Sequence, residues 1–109
     1  LINFYIKEMG IIYHITSAEA WNLARQKGVY SAPSLETEGF IHCSNGGQVD
    51  GVLNRYYKGQ NHLVKLTIDT NKLVAPLRYD LAPSINEEFP HIYGPINTEA
   101  VFDVQEIVQ

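Results

Sequence analysis

Three histidines sit inside segments otherwise built from aromatic and β-branched residues: His14 in Y-H-I-T (13–16), His42 in F-I-H-C-S (40–44) and His91 in P-H-I-Y-G (90–94). An imidazole titrates near neutral pH, so it can move a proton, and its neutral form also suits zinc, copper or iron. Side chains alternate along a strand. His14 therefore shares a face with Thr16, His42 with Phe40 and Ser44, and His91 with Tyr93. Polar groups are costly in a core unless bonded. Three such sets on three segments point to one polar pocket on the face of a sheet. His14, His42 and His91 are its catalytic candidates; Thr16, Phe40, Ser44 and Tyr93 are its ligand-binding candidates. For any one histidine alone, a structural hydrogen-bonder or a half-exposed strand residue is the simpler alternative. His62 begins a strand without such company and reads as surface.

Other chemistry is less well supported. Ser44-Asn45-Gly46-Gly47 opens a predicted helix, and free N–H groups at a helix start suit an anion; an ordinary capped turn explains the same letters. Arg55, further along that helix, faces either the cleft or solvent. Cys43 adjoins His42, but neighbouring strand residues point to opposite faces, so it reads as a small buried apolar group. Glu36, Glu38, Glu87, Glu88 and Glu99 lie in predicted loops, where carboxylates are usually solvated. Among the many tyrosines, Tyr93 is the one expected against a flat ligand and the rest are expected to pack.

The elements that must position these residues are short, because eight Gly and five Pro punctuate the chain. Ile11–Thr16 reads as a buried strand. Thr16 with Glu19 has capping-box spacing, which starts a helix over about Ser17–Lys27. Ala20, Leu23 and Ala24 form its apolar stripe, Trp21 lies at the edge, and Gly28 is placed for a left-handed cap. Residues 29–38 read as a loop with room for a short strand. Phe40–Cys43 is a second strand, and a helix follows from about Gly46 to Gly59. His62–Asp69 is a third strand with Val64, Leu66 and Ile68 on one face. Pro76–Leu81 is an edge strand, Asn86–Pro90 a loop, His91–Tyr93 a short extended piece and Val101–Val108 the last strand. Two early helices with five or six strands give an α+β domain with a curved or split mixed β-sheet.

The 109 residues suit one domain over 9–109, with 1–8 an N-terminal extension or an edge strand. Hydrophobic residues make up 45% and charged residues 18%, which is ordinary for a globular protein. No apolar run approaches a membrane span, and the start lacks the pattern of a signal peptide. Net charge is −4, with no basic run, so nucleic acid is a disfavoured partner. The single cysteine excludes a disulfide within the chain and suits the cytoplasm.

I-Y-H-I-T (12–16), E-G-F-I-H-C-S (38–44) and F-P-H-I-Y-G-P (89–95) resemble the signature of a bacterial family, domain-of-unknown-function family nine-fifty-two, over about Ile11–Val108. That family more distantly resembles the ADP-ribosyltransferase-like fold of RNA 2′-phosphotransferases and NAD-cleaving toxins. The resemblance implies a split curved sheet with NAD, or another small-molecule nucleotide, in its cleft. It places His14 on the ribose, Thr16 on the nicotinamide amide, Phe40, His42 and Ser44 beside the ring, and Tyr93 against it. The late glutamate motif of many transferases has no counterpart here. An NAD-cleaving or nucleotide-binding enzyme is thus one expectation. A metal site built from His14, His42 and His91 is a second, and a non-enzymatic metabolite- or partner-binding module a third.

Overall fold

The computed structural model describes residues 10–109. The expected extension or edge strand at 1–8 lies outside them. Eight strands and three helices follow one another: β1 (Ile11–Ser17), α1 (Ala18–Lys27), β2 (Val29–Tyr30), α2 (Pro33–Thr37), β3 (Ile41–His42), α3 (Val49–Tyr56), β4 (Leu63–Asp69), β5 (Leu77–Ala82), β6 (Glu87–Ile92), β7 (Ile96–Asn97) and β8 (Val101–Ile107). The strands form sheets ordered β1-β4-β8, β3-β6-β5 and β2-β7. The α+β class and the split sheet are as expected. The expected mixed sheet is corrected: every strand pairing among the described residues is antiparallel.

One contact joins the two larger sheets. Tyr13 and Ser44 exchange both backbone hydrogen bonds at 2.8 Å. Cys43 N–H then donates to Pro90 O at 3.0 Å, carrying the ladder on to β6. The hydrogen bonding therefore continues from β1 through the residues after β3 into β6.

β1 is buried on both faces because helices cover both. Ile12 packs with Leu66, Ile68, Trp21 and Ala24 on the α1 side. Ile15 packs with Leu63 and Val49 on the α3 side. The helix α1 begins at Ser17, whose side chain accepts from Ala20 N–H at 3.0 Å. Thr16 is not the cap, since its hydroxyl turns back toward Tyr30. The stripe also differs from expectation: Trp21 and Ala24 are buried while Leu23 is 53% exposed. Trp21 fills the space over β4, and so rotates Leu23 outward. Gly28 ends the helix in the left-handed region at φ 82°, its N–H bonded to Ala24 O.

The later half departs most from expectation. Residues 87–90 are not a loop; they form the first part of β6, the central strand of its sheet. Pro90 is fully buried there and serves the ladder through its carbonyl alone. β5 is an edge strand, as Pro76 implied. The short α2, begun by Pro33, occupies part of the expected loop. His62 is exposed.

Ser17→Ala removes the cap of α1 and is expected to lower stability by about 1 kcal/mol. Thr16→Ser keeps a hydroxyl and should cost less. Urea unfolding of the two variants checks the order.

Candidate functional site

The alternation along β1 puts His14 and Thr16 on one face and Ile15 on the other. The α1 face is closed, and it is the face that carries His14. The imidazole is 6% exposed. Its Nδ1 lies 2.6 Å from His42 O and its Nε2 lies 2.8 Å from Tyr30 Oη. Tyr30 Oη is also 2.8 Å from Thr16 Oγ1. The carbonyl of His42 can only accept, so Nδ1 carries the proton. Burial holds the ring pKa down, to about 4, although the backbone bond opposes this. The ring is therefore neutral and Nε2 must accept. Tyr30 has a single hydroxyl proton to give it, which leaves the Thr16 hydroxyl donating to Tyr30. Burial pushes Tyr30 up to about 12, so it keeps its proton. These three side chains form a closed relay behind the sheet.

A cavity of about 590 Å³ opens on the opposite side of β1, against Ile15. His42, Ser44 and His91 line it. His14, Thr16, Phe40 and Tyr93 do not. Of the seven candidate residues, three reach the cavity, two support those three and two lie behind the sheet. The supports are Phe40 and Tyr93. Phe40 stacks on His91 at 4.0 Å and 14°, and meets the edge of His42 at 4.9 Å. Tyr93 reaches the same cluster at 5.4 Å from Phe40.

His42 and His91 are directly opposed in the β3–β6 pair, with ring centroids 5.2 Å apart. Each has its own carboxylate. Glu38 Oε2 is 3.0 Å from His42 Nε2 in an exposed pair. Asp80 Oδ2 is 2.7 Å from His91 Nδ1, and the same oxygen accepts from the Tyr93 hydroxyl at 2.5 Å. The Tyr93 and His91 bonds hold the Asp80 carboxyl below the usual range, and Asp80 in turn raises Tyr93. Arg78 lies over the Tyr93 ring at 4.8 Å. The Asp80 carboxylate accepts from Nδ1–H of His91, which turns Nε2 toward the other side of the ring. No hydrogen bond among the described residues occupies that nitrogen.

The metal site expected from three histidines does not form. His14 is on the wrong face of β1 and both its nitrogens are bonded. No group of three His, Cys, Asp or Glu among the described residues is placed to hold a metal ion. The segment 44–47 is an ordinary capped turn and not an anion site: Asn45 N–H donates to Gln48 Oε1 at 2.9 Å and Gln48 N–H to Asn45 O at 3.0 Å. Arg55 lies over the ring of Tyr56 at 5.7 Å. Cys43 is buried at the cavity wall, and burial pushes its thiol pKa up, which disfavours the thiolate.

Asp80 was not singled out in the sequence. Its signal is the alternation Arg78, Asp80 on a strand that pairs with the His91 segment, and reading 87–90 as a loop hid that pairing. Glu38 reads in the sequence as a solvated loop carboxylate, yet it is four residues before His42 and bonded to it.

Residues 15–104 match the family described as Protein of unknown function (DUF952). The chain belongs to this family. Among solved structures, a crystal structure of protein CC0527 from Caulobacter crescentus superposes with a TM-score of 0.82 at 27% identity, covering 90% of this chain and 86% of that one. The solution structure of the same protein gives a TM-score of 0.76 at 28% identity, covering 89% and 84%. The fold is thus shared with a solved protein. No curated protein matches the chain. No described helix is long and apolar enough to cross a membrane.

His14 makes stability depend on pH. The unfolded chain binds a proton at this residue below about pH 6.5, while the folded chain resists until about pH 4. Stability should therefore fall with pH across that window, by roughly 3 kcal/mol at most from this group, and level off below it. Chemical denaturation between pH 7.5 and 4.5 tests this. His14→Gln should be less stable at pH 7.5 and have a shallower slope; equal slopes would refute the assignment.

Proposed function

We propose that this domain is a small-molecule enzyme whose cavity binds a flat, nucleotide-class ligand, with His42 and His91 exchanging protons with it. One observation carries the reading: two imidazoles face each other at the wall of a cavity, each backed by a carboxylate. Paired groups of this kind can serve as acid and base in the same reaction. His91, with Nδ1–H held by Asp80, presents a free Nε2 as the base. His42, bonded by Glu38 on its exposed side, is the complementary acid. Phe40 stacks on one and edges the other, so it fixes both ring planes. Tyr56, Tyr57 and Phe89 supply aromatic lining that suits a planar base. The unpaired Ser44 hydroxyl adds a small polar contact.

NAD is the ligand that the family resemblance implies. The residues present do not fit it in the manner implied. His14 and Thr16, assigned to the ribose and amide, are spent in the relay with Tyr30 and lie across β1 from the cavity. Tyr93 is held by Asp80 and covered by Arg78. A nucleotide bound in this cavity would instead meet His42, Ser44 and His91.

The test begins with calorimetric titration of NAD, ADP-ribose and nucleoside monophosphates, followed by product analysis. Binding to the cavity, with turnover falling about 10²- to 10⁴-fold in His91→Ala and in His42→Ala, is expected. Silence from every ligand at millimolar concentration would count against the nucleotide class. Asp80→Asn should keep the fold and the affinity but lower kcat and move its pH profile, because the amide no longer holds the Nδ1 proton.

A further inference from the structure

We infer that the end of the ligand received by this cavity is an organic cation. The inference rests on the cavity being a ligand site and not on the proton transfer proposed above. Among the described residues, Glu38 is the only carboxylate of the lining, and no lysine or arginine belongs to it. A second carboxylate, Asp80, stands directly behind His91. The remaining surface is rich in aromatic rings, from Tyr56, Tyr57 and Phe89, and ring faces attract cations through their quadrupole.

The protein's own cations already use neighbouring rings in this way. Arg55 stacks on Tyr56 at 5.7 Å and Arg78 on Tyr93 at 4.8 Å. Arg55 lies over Tyr56, itself a lining ring, and Arg78 over Tyr93, which is not one; among the described residues the bonded partner of Glu38 is the His42 imidazole. Tyr56 and Tyr57 also come from the C-terminal end of α3, where the helix dipole is negative. A phosphate, by contrast, would find no lysine or arginine among the described lining residues, only the imidazoles of His42 and His91, each already bonded to a carboxylate. Among simple ligands, a quaternary or protonated amine of modest size matches the lining best.

The experiment compares isosteres that differ only in charge: choline with 3,3-dimethylbutan-1-ol, and acetylcholine with 3,3-dimethylbutyl acetate. Each is titrated into the full chain at pH 7.5 and followed by amide chemical shifts. The charged member of each pair is expected to bind about five-fold more tightly, with shifts centred on His42, Ser44, Tyr57 and His91. Glu38→Gln, an exposed substitution expected to fold normally, should erase most of that preference. Neutral members binding the same residues as tightly would overturn the cation inference and leave the ligand site standing. No shift at those residues from any probe would overturn both. Equal preference in Glu38→Gln and the unaltered chain would show that the carboxylate does not select the charge, and would overturn the inference as stated.

Discussion

A neutral imidazole buried between two sheets sets the geometry of this protein. His14 projects from β1, and its Nδ1–H meets the carbonyl of His42 on the neighbouring segment. Its other nitrogen takes the Tyr30 proton, and Tyr30 takes that of Thr16. Every polar atom of the relay is satisfied, which is the condition for keeping such groups in a core. The bond fixes the backbone of His42 from behind while the side chain of His42 faces the cavity in front. Together with the Tyr13–Ser44 backbone exchange, it determines where the β3–β6–β5 sheet stands relative to β1. A charge on His14 would oppose this arrangement, since the ring is buried and its bonded partners among the described residues are neutral.

The front of the sheet follows from that placement. Once β3 is fixed, antiparallel pairing puts His91 opposite His42 and brings β5 alongside. Asp80 then falls within reach of His91 and Tyr93 with a single oxygen. Phe40 fills the space beside both imidazoles and limits their rotation. The helix α3 closes the other wall with Val52, Tyr56 and Tyr57. The histidines thus divide into one that organises the fold and two that face the ligand space. Shared fold with the Caulobacter crescentus protein extends over most of both chains, so this division can be sought in that structure as well.

Much of the frame was legible from residue pattern. The β-branched run at 11–16, the helix ending at Gly28, the strand at 63–69 and the edge strand after Pro76 all follow from local preferences. Their positions agree closely with the fold. Local preference failed where tertiary packing outweighed it. Glu87 and Glu88 look like loop residues, yet pairing with β5 makes them strand. Leu23 looks like a core residue, yet Trp21 takes its place over β4. Thr16 has the letters of a cap, yet Tyr30 claims its hydroxyl.

The sequence by itself determined that three histidine segments would lie in strands and which residues would share a face with each, because strand periodicity is a property of the backbone. It also determined that Cys43 would be apolar in role and that the domain would be α+β. Only the tertiary structure decided which face of each strand would be covered. β1 has one face under α1 and the other beside the cavity, and nothing in the alternation of Y-H-I-T distinguishes them. The partners Asp80, Glu38 and Tyr30 were decided at the same level, because each bond depends on strand pairing or helix placement between segments distant along the chain or on a turn that local propensity does not specify.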